Sequence, residues 1–392
     1  MSTLGWADVY NVTNADHSLQ GNSIMSSALF SPIVLRDLKI DNRIVVGPMD
    51  QYSAVEGCAS DWHLMHLGKL ATSGAGLVIT ESAAVEQTGR ITLGCLGLYS
   101  DANEAALDRV VRFCRKHGSA KLGVQLAHSG RKGSTSLPWE GRSAPLTKEQ
   151  GAWQTYGCAG QLRASGWPDS EPLDEAGLTR VCDAHVAATK RAARLGFDLV
   201  ELVMAHGYLL QEFLSPLSNL RNDGYGGDIA GRMRFPLTVF DAMRMVWPED
   251  RPMGVRVSAT DWMTGGWQIS DTIVLAEALI GRGCDYMAVS SGGLSLDQKI
   301  PIGEGHQVLF SNQVRQKTGM PTMAMGMIYD PEHAEKIVTN GEADFVALAR
   351  TMLNEPHWPW YAANKLKADV VYPPQYLRGY RSRWHRIKRG GG

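Results

Sequence analysis

Eight short runs of apolar, largely β-branched residues recur along this chain, at 43–46, 76–80, 121–126, 198–203, 253–258, 286–290, 322–325 and 344–349. Amphipathic stretches suited to helices separate them, at 103–117, 174–195 with Asp174 as N-cap, 231–246, 270–282 and 331–340. Alternation of this kind belongs to parallel strands joined by helices. Eight units predict an α/β fold of the closed (β/α)8 TIM-barrel type rather than an open doubly wound sheet. One connection is too long for a simple loop: residues 133–172, with Trp139, Trp153 and Trp167 among Pro and Gly, follow the third run and predict a small capping insertion.

The barrel is expected over residues 28–380, between an N-terminal tail at 1–27 and a basic C-terminal tail at 381–392. A chain of 392 residues, 44% hydrophobic, can bury such a core in one domain. Its formal charge of -1 gives no reason to expect nucleic acid or an anionic membrane as partner. No apolar run approaches the ~18 residues of a membrane span. Six scattered cysteines without a CxxC indicate neither a disulfide framework nor a zinc or iron–sulfur site, and no metal is expected. The first residues lack a basic segment followed by an apolar one, so no signal peptide is expected and a reducing cytoplasm is the simplest location.

In a barrel of this type the chemistry sits where strands end. The chain has no GxGxxG after a strand, no GxxxxGK[ST], no GxSxG and no HExxH, which argues against a Rossmann dinucleotide site, a P-loop, an esterase and a zinc protease. After the seventh and eighth runs stand Gly326-Met327-Ile328 and Ala349-Arg350-Thr351. These suit a phosphate, through close backbone approach at Gly326 and the charge of Arg350, or they are ordinary turn residues. Arg256 is a charge in an apolar strand and requires an anionic partner, either a ligand or a carboxylate elsewhere in the barrel.

Five segments carry a family resemblance: Pro48-Met49-Asp50-Gln51-Tyr52-Ser53, Gln125-Leu126-Ala127-His128-Ser129-Gly130-Arg131-Lys132, Glu201-Leu202-Val203-Met204-Ala205-His206-Gly207-Tyr208, Ser218-Asn219-Leu220-Arg221-Asn222-Asp223-Gly224-Tyr225-Gly226-Gly227, and Gln375-Tyr376-Leu377-Arg378-Gly379. Over residues 28–380 the chain resembles the old yellow enzyme family of flavin reductases, in the subgroup ending in QYxRG. The resemblance implies non-covalent FMN and NAD(P)H that docks transiently as reductant. It places the phosphate at Gly326, Met327, Ala349 and Arg350, with Ala349 where Gly is usual. Arg256 falls at the flavin N1/C2=O edge, Gln125 at the pyrimidine edge, and Pro48, Met49 and Ser82 along the other side. Tyr208 corresponds to the proton donor and Tyr52 to a substrate contact. Lys132 belongs to the rim, near the substrate. Arg378 reaches a neighbouring subunit's active site, which implies a homodimer or a dimer of dimers. The Asn219–Arg232 segment reads as a structural turn.

Two positions depart from the family pattern. Asp50 stands where Cys is usual beside the flavin; as a carboxylate it would lower the flavin potential, as a neutral acid it would donate a hydrogen bond, and a third reading makes it a loop cap. Val203 stands where an imidazole is usual, so one of the two donors to a substrate carbonyl is missing. His206 remains as the other, unless a backbone carbonyl satisfies its ring. The expected reaction is hydride transfer to the activated C=C of a small-molecule substrate, with Tyr208, His206, Tyr52 and Asp50 as the catalytic set and altered specificity. Dehydrogenation or amine oxidation is the alternative, and a non-catalytic flavin-binding protein a further one.

Overall fold

The computed structural model describes residues 27–160 and 167–379. The tails expected at 1–27 and 381–392 therefore lie outside the described residues, apart from Ser27. Its hydroxyl donates to Glu335 Oε2 at 2.6 Å.

Eight strands form a closed barrel: β1 (Ile44–Val46), β2 (Leu77–Ala84), β3 (Lys121–Ala127), β4 (Leu199–Met204), β5 (Met253–Ser258), β6 (Tyr286–Ser290), β7 (Thr322–Ala324) and β8 (Phe345–Leu348). Every ladder between them is parallel, and neighbours in sequence are neighbours in space, with β8 closing on β1. The expected runs match these strands closely except the second. β2 continues to Ala84, and its pairing with β3 shifts register between Ile79 and Ser82. Beyond that irregularity Ser82 resumes the ladder opposite Gln125.

The helices α1 (Asp61–Ala71), α2 (Asp101–His117), α3 (Glu175–Arg194), α4 (Ile229–Arg244), α5 (Ile269–Ile280), α6 (Val308–Thr318) and α7 (Pro331–Thr339) cover the strands. Asp174 caps α3 as expected, its carboxylate accepting from Gly177 N at 2.7 Å, and Asp228 caps α4 in the same way. Two helices lack the pattern that identified the others. α1 buries His63 and His66 alongside its aliphatic residues, and α6 buries only Val308, Ser311 and Val314, so neither shows a clean apolar stripe.

A hairpin of Ile33–Leu35 with Leu38–Ile40 closes the barrel bottom. Leu35 and Ile40 join Val45, Leu77, Ile79, Leu199, Tyr286 and Phe345 in a core inside the strands. At the other end the insertion leaves β3 and forms a two-residue parallel ladder, Tyr156–Gly157 with Glu171–Pro172. Buried Glu212 pins it: one carboxylate oxygen accepts from Arg131 N at 2.8 Å and the other from Cys158 N at 3.0 Å. Trp139 of the insertion meets the ring of Tyr52 edge-on, 5.9 Å between centroids.

Candidate active site

A cavity of about 570 Å³ opens at the strand ends, within the range of small-molecule and cofactor sites. Its wall includes Pro48 from the β1 end, Glu201 and His206 from β4 and its loop, and Arg256 from β5. Gly326 and Met327 follow β7, and Ala349 and Arg350 follow β8. The four residues expected to hold a phosphate thus line one cavity. Gly326 has φ +108°, a conformation other residues rarely adopt, and a Cβ there would come within 3.1 Å of the His306 ring. Thr351 Oγ1 donates to Ile328 O at 2.8 Å and ties the two loops together.

Arg256 brings its cation to this cavity from an apolar strand. Burial lowers its pKa, while the charges of Glu201, Asp50 and Tyr208 oppose that shift. Its Nε has no hydrogen-bond partner among the described residues, and one terminal nitrogen lies 3.5 Å from Met325 Sδ. Glu201 inside the barrel thus acts on Arg256 through its charge without a direct ion pair, and donor capacity is left over for an anionic or carbonyl edge in the cavity. A phosphate-bearing, ring-shaped cofactor with an electron-rich edge fits that distribution of donors. Gln125 lies on the adjoining strand and donates through Nε2 to Glu201 Oε1 at 2.6 Å. Ser82 pairs with Gln125 in the β2–β3 ladder.

Around the β4 end stand the groups with acid–base capacity. Tyr208 packs its ring against an apolar patch of Ala127, Val203 and Ala205. Lys132 Nζ lies 4.7 Å from the centroid of that ring. The same ammonium donates to His206 O at 2.6 Å and Gly293 O at 3.1 Å. Lys132 is thus engaged by the loop that presents His206.

His206 adopts φ +59°. Its Nε2 lies 2.7 Å from Ser290 Oγ, so a side-chain hydroxyl, not a helix carbonyl, satisfies the ring. Burial, and then the charges of Arg256 and Lys132, hold the imidazole well below its ordinary pKa, which favours the neutral ring. A substrate carbonyl drawing on His206 Nε2 has to compete with Ser290.

Asp50 accepts a hydrogen bond from Ser82 N, and burial followed by the charge of Glu81 pushes its carboxyl up to about 7. At about 7 the carboxyl is accessible in both its neutral and its charged form. Glu81 itself is buried, accepting from Gln51 N at 3.0 Å and lying 3.1 Å from His63 Nε2. Tyr52 has φ +50°, and burial and then Asp50 raise its phenol. Arg378 is exposed in the turn Pro374–Gly379 and is absent from the wall of this chain's own cavity.

Glu201 is a functional residue that the sequence motif does not single out, although it carries the same signal as Arg256, a charge inside an apolar run. Ser290, Ser291, Gln307 and His306 also line the cavity. They carry no local signature, because only barrel closure brings the β6 end and the loop before α6 to the site. Among the described residues no group of three or more His, Cys, Asp or Glu could hold a metal ion, and no helix is long and apolar enough to cross a membrane.

A family profile described as NADH:flavin oxidoreductase / NADH oxidase matches residues 28–369. The chain is 36% identical over 367 residues to an NADPH dehydrogenase of Geobacillus thermodenitrificans, covering 91% of this chain and 100% of that protein. It is 37% identical over 358 residues to an NADPH dehydrogenase of Bacillus subtilis, with the same coverage. Among solved structures, morphinone reductase superposes with a TM-score of 0.73 at 25% identity, over 90% of this chain and 94% of that one. The protein is accordingly an FMN-dependent oxidoreductase that uses NAD(P)H as reductant, and it belongs to the NADH:flavin oxidoreductase / NADH oxidase family, which is old yellow enzyme-like.

Proposed function

We propose that this enzyme reduces an activated C=C of a small apolar substrate. FMN, when bound, supplies the hydride that it takes from NAD(P)H. The observation that carries the reading is the convergence of Tyr208, His206 and the apolar patch of Ala127, Val203 and Ala205 at one end of the barrel, with the expected cofactor donors opening beside them. Gly326, Met327, Ala349 and Arg350 would hold the phosphate, Arg256 and Gln125 the pyrimidine side, and Pro48, Met49 and Ser82 the opposite side. Tyr208 gives its phenolic proton to the substrate carbon next to the carbonyl. Lys132, over the Tyr208 ring and bonded to His206 O, keeps the phenol and the imidazole in fixed relation. Tyr52 and the Trp139 edge bound the substrate from the insertion side. Val203 offers packing only, so the carbonyl relies on His206, and substrates that depend on two donors are disfavoured.

The engagement of His206 Nε2 by Ser290 and the titratable Asp50 favour a second reading, in which the substrate is an amine or loses hydride to the flavin. Anaerobic stopped-flow mixing separates the two. NADPH is expected to bleach the FMN, and 2-cyclohexenone to restore its colour; restoration by no enone, together with bleaching by amines, would establish the second reading. Acid precipitation is expected to release the flavin to the supernatant, since Asp50 offers no thiol for a thioether.

The enzyme is further proposed to work in the cytoplasm as a homodimer or dimer of dimers, with Arg378 entering a neighbour's site. Tyr376 and Leu377 beside it are exposed, and Tyr376 stands 5.9 Å from Trp360 in an aromatic cluster with His357 and Tyr372. Arg378→Ala is expected to raise the KM for substrate or NAD(P)H several-fold while FMN stays bound. A monomer by sedimentation that keeps full activity after truncation at Pro374 would refute both parts.

A further inference from the structure

One layer of the barrel holds a polar row in which Gln125 alone has a role toward the cofactor, while Glu201 and Tyr286 have none. Gln125 on β3 is in register with Glu201 on β4, Glu201 with Gly254 on β5, and Gly254 with Tyr286 on β6. Glu201 and Tyr286 are fully buried. Tyr286 OH donates to Glu201 Oε2 at 3.1 Å, and Gln125 Nε2 donates to Glu201 Oε1 at 2.6 Å, so each carboxylate oxygen has a donor. Tyr286 reaches Glu201 across the strand between them because that strand has no side chain at this level. A Cβ on Gly254 would stand 2.2 Å from the Tyr286 ring. Four consecutive strands, β3 to β6, are therefore arranged around one carboxyl group, and that group lines the cavity with Arg256.

A buried carboxylate is costly unless it is paired and hydrogen-bonded. Here Gln125 and Tyr286 supply the bonds, and Arg256 acts through its charge without a direct ion pair; burial raises the Glu201 pKa while these three oppose the rise. Two consequences reach the cofactor. Gln125 is fixed with its amide NH2 toward Glu201, which leaves its carbonyl oxygen as the atom free to accept from another partner. Arg256 is partly neutralised, so the cavity feels less than a full positive charge.

We propose that Glu201, held by Gln125 and Tyr286 in one barrel layer, is a positioning residue that presets the Gln125 amide, tempers Arg256, and thereby lowers the reduction potential of FMN bound in the cavity. The proposal rests on the placement of FMN against Arg256 given above. Reductive titration of the holoenzyme tests it, with Glu201→Gln, Tyr286→Phe and, as a control on that placement, Arg256→Gln. Glu201→Gln is expected to shift the reduction equilibrium at least tenfold toward reduced flavin, about 30 mV for a two-electron couple. Tyr286→Phe removes a bond that holds the Glu201 pKa down, so it favours the neutral acid and is expected to shift the equilibrium the same way by less. Arg256→Gln should shift it oppositely. Wild-type potentials, or a downward shift, in FMN-bound Glu201→Gln and Tyr286→Phe overturn the inference; if Glu201→Gln does not retain FMN, Tyr286→Phe alone decides. Should Arg256→Gln also leave the potential unchanged, the placement of the flavin fails as well. A response to Arg256→Gln alone confines the failure to Glu201.

Discussion

Val203→His is expected to speed the reduction of 2-cyclohexenone, with one oxyanion donor worth at most ~10² to 10³ in rate. Val203 is buried in the patch that packs against Tyr208, so an imidazole there enters the same wall that holds the proposed proton donor. The existing imidazole does not fill that need unaided, because Ser290 Oγ already engages His206 Nε2. The full span is not expected. Imidazole is bulkier than the Val203 side chain, and a patch of Ala127 and Ala205 has no group to fix its tautomer or orientation. The measurement is kcat/KM for the enone in variant and parent at equal FMN content, which reads transition-state stabilisation directly. A rate that is unchanged or lower in the flavin-replete variant would mean that the pocket is built for another substrate, and would shift weight to amine oxidation or dehydrogenation.

The extent to which the sequence disclosed this site follows from where each residue's signal lies. The barrel was legible because eight strands buried on both faces leave eight apolar runs, and β5 and β6 occupy the very residues those runs marked. α1 was not legible, since His63 and His66 face inward where an amphipathic helix would carry only aliphatics. His63 meets Glu81, a pairing that no local pattern shows. Within the site, Arg256 announced itself as a charge in an apolar run, and Gly326 and Arg350 by their place after strands. The partners that decide how such residues behave come from distant strands. Ser290 lies 84 positions from His206 and Tyr286 lies 85 from Glu201, and only barrel closure joins them. Lys132 could be placed at the rim from its motif, but its bonds to His206 O and Gly293 O depend on two loops meeting there.

Asp50→Asn is expected to raise the flavin potential in alkaline solution and to leave it unchanged in acid. Burial and Glu81 push the Asp50 carboxyl up to about 7, against the hydrogen bond from Ser82 N and the charges of Arg256 and Lys132. Below that value the group is neutral and already resembles the Asn variant. Above it a carboxylate stands in the barrel mouth, and at ~4 Å and an effective dielectric of ~20 it would repel a charge gained on reduction by about 4 kcal/mol. That is on the order of 90 mV for a two-electron couple. Stability gives a second, independent reading of the same group. Its folded-state pKa lies above the ordinary 3.8, so the folded protein holds this proton where the unfolded chain has lost it. Stability from Asp50 is then greatest in acid and declines as pH rises from about 4 to about 7, by a few kcal/mol. Asp50→Asn lacks that decline and should unfold at a higher temperature than the parent near pH 8, with no advantage near pH 4. Potentiometry and thermal unfolding across this range check both arms. A difference in potential that is the same at every pH, or no difference at all, would mean that Asp50 does not titrate beside the flavin.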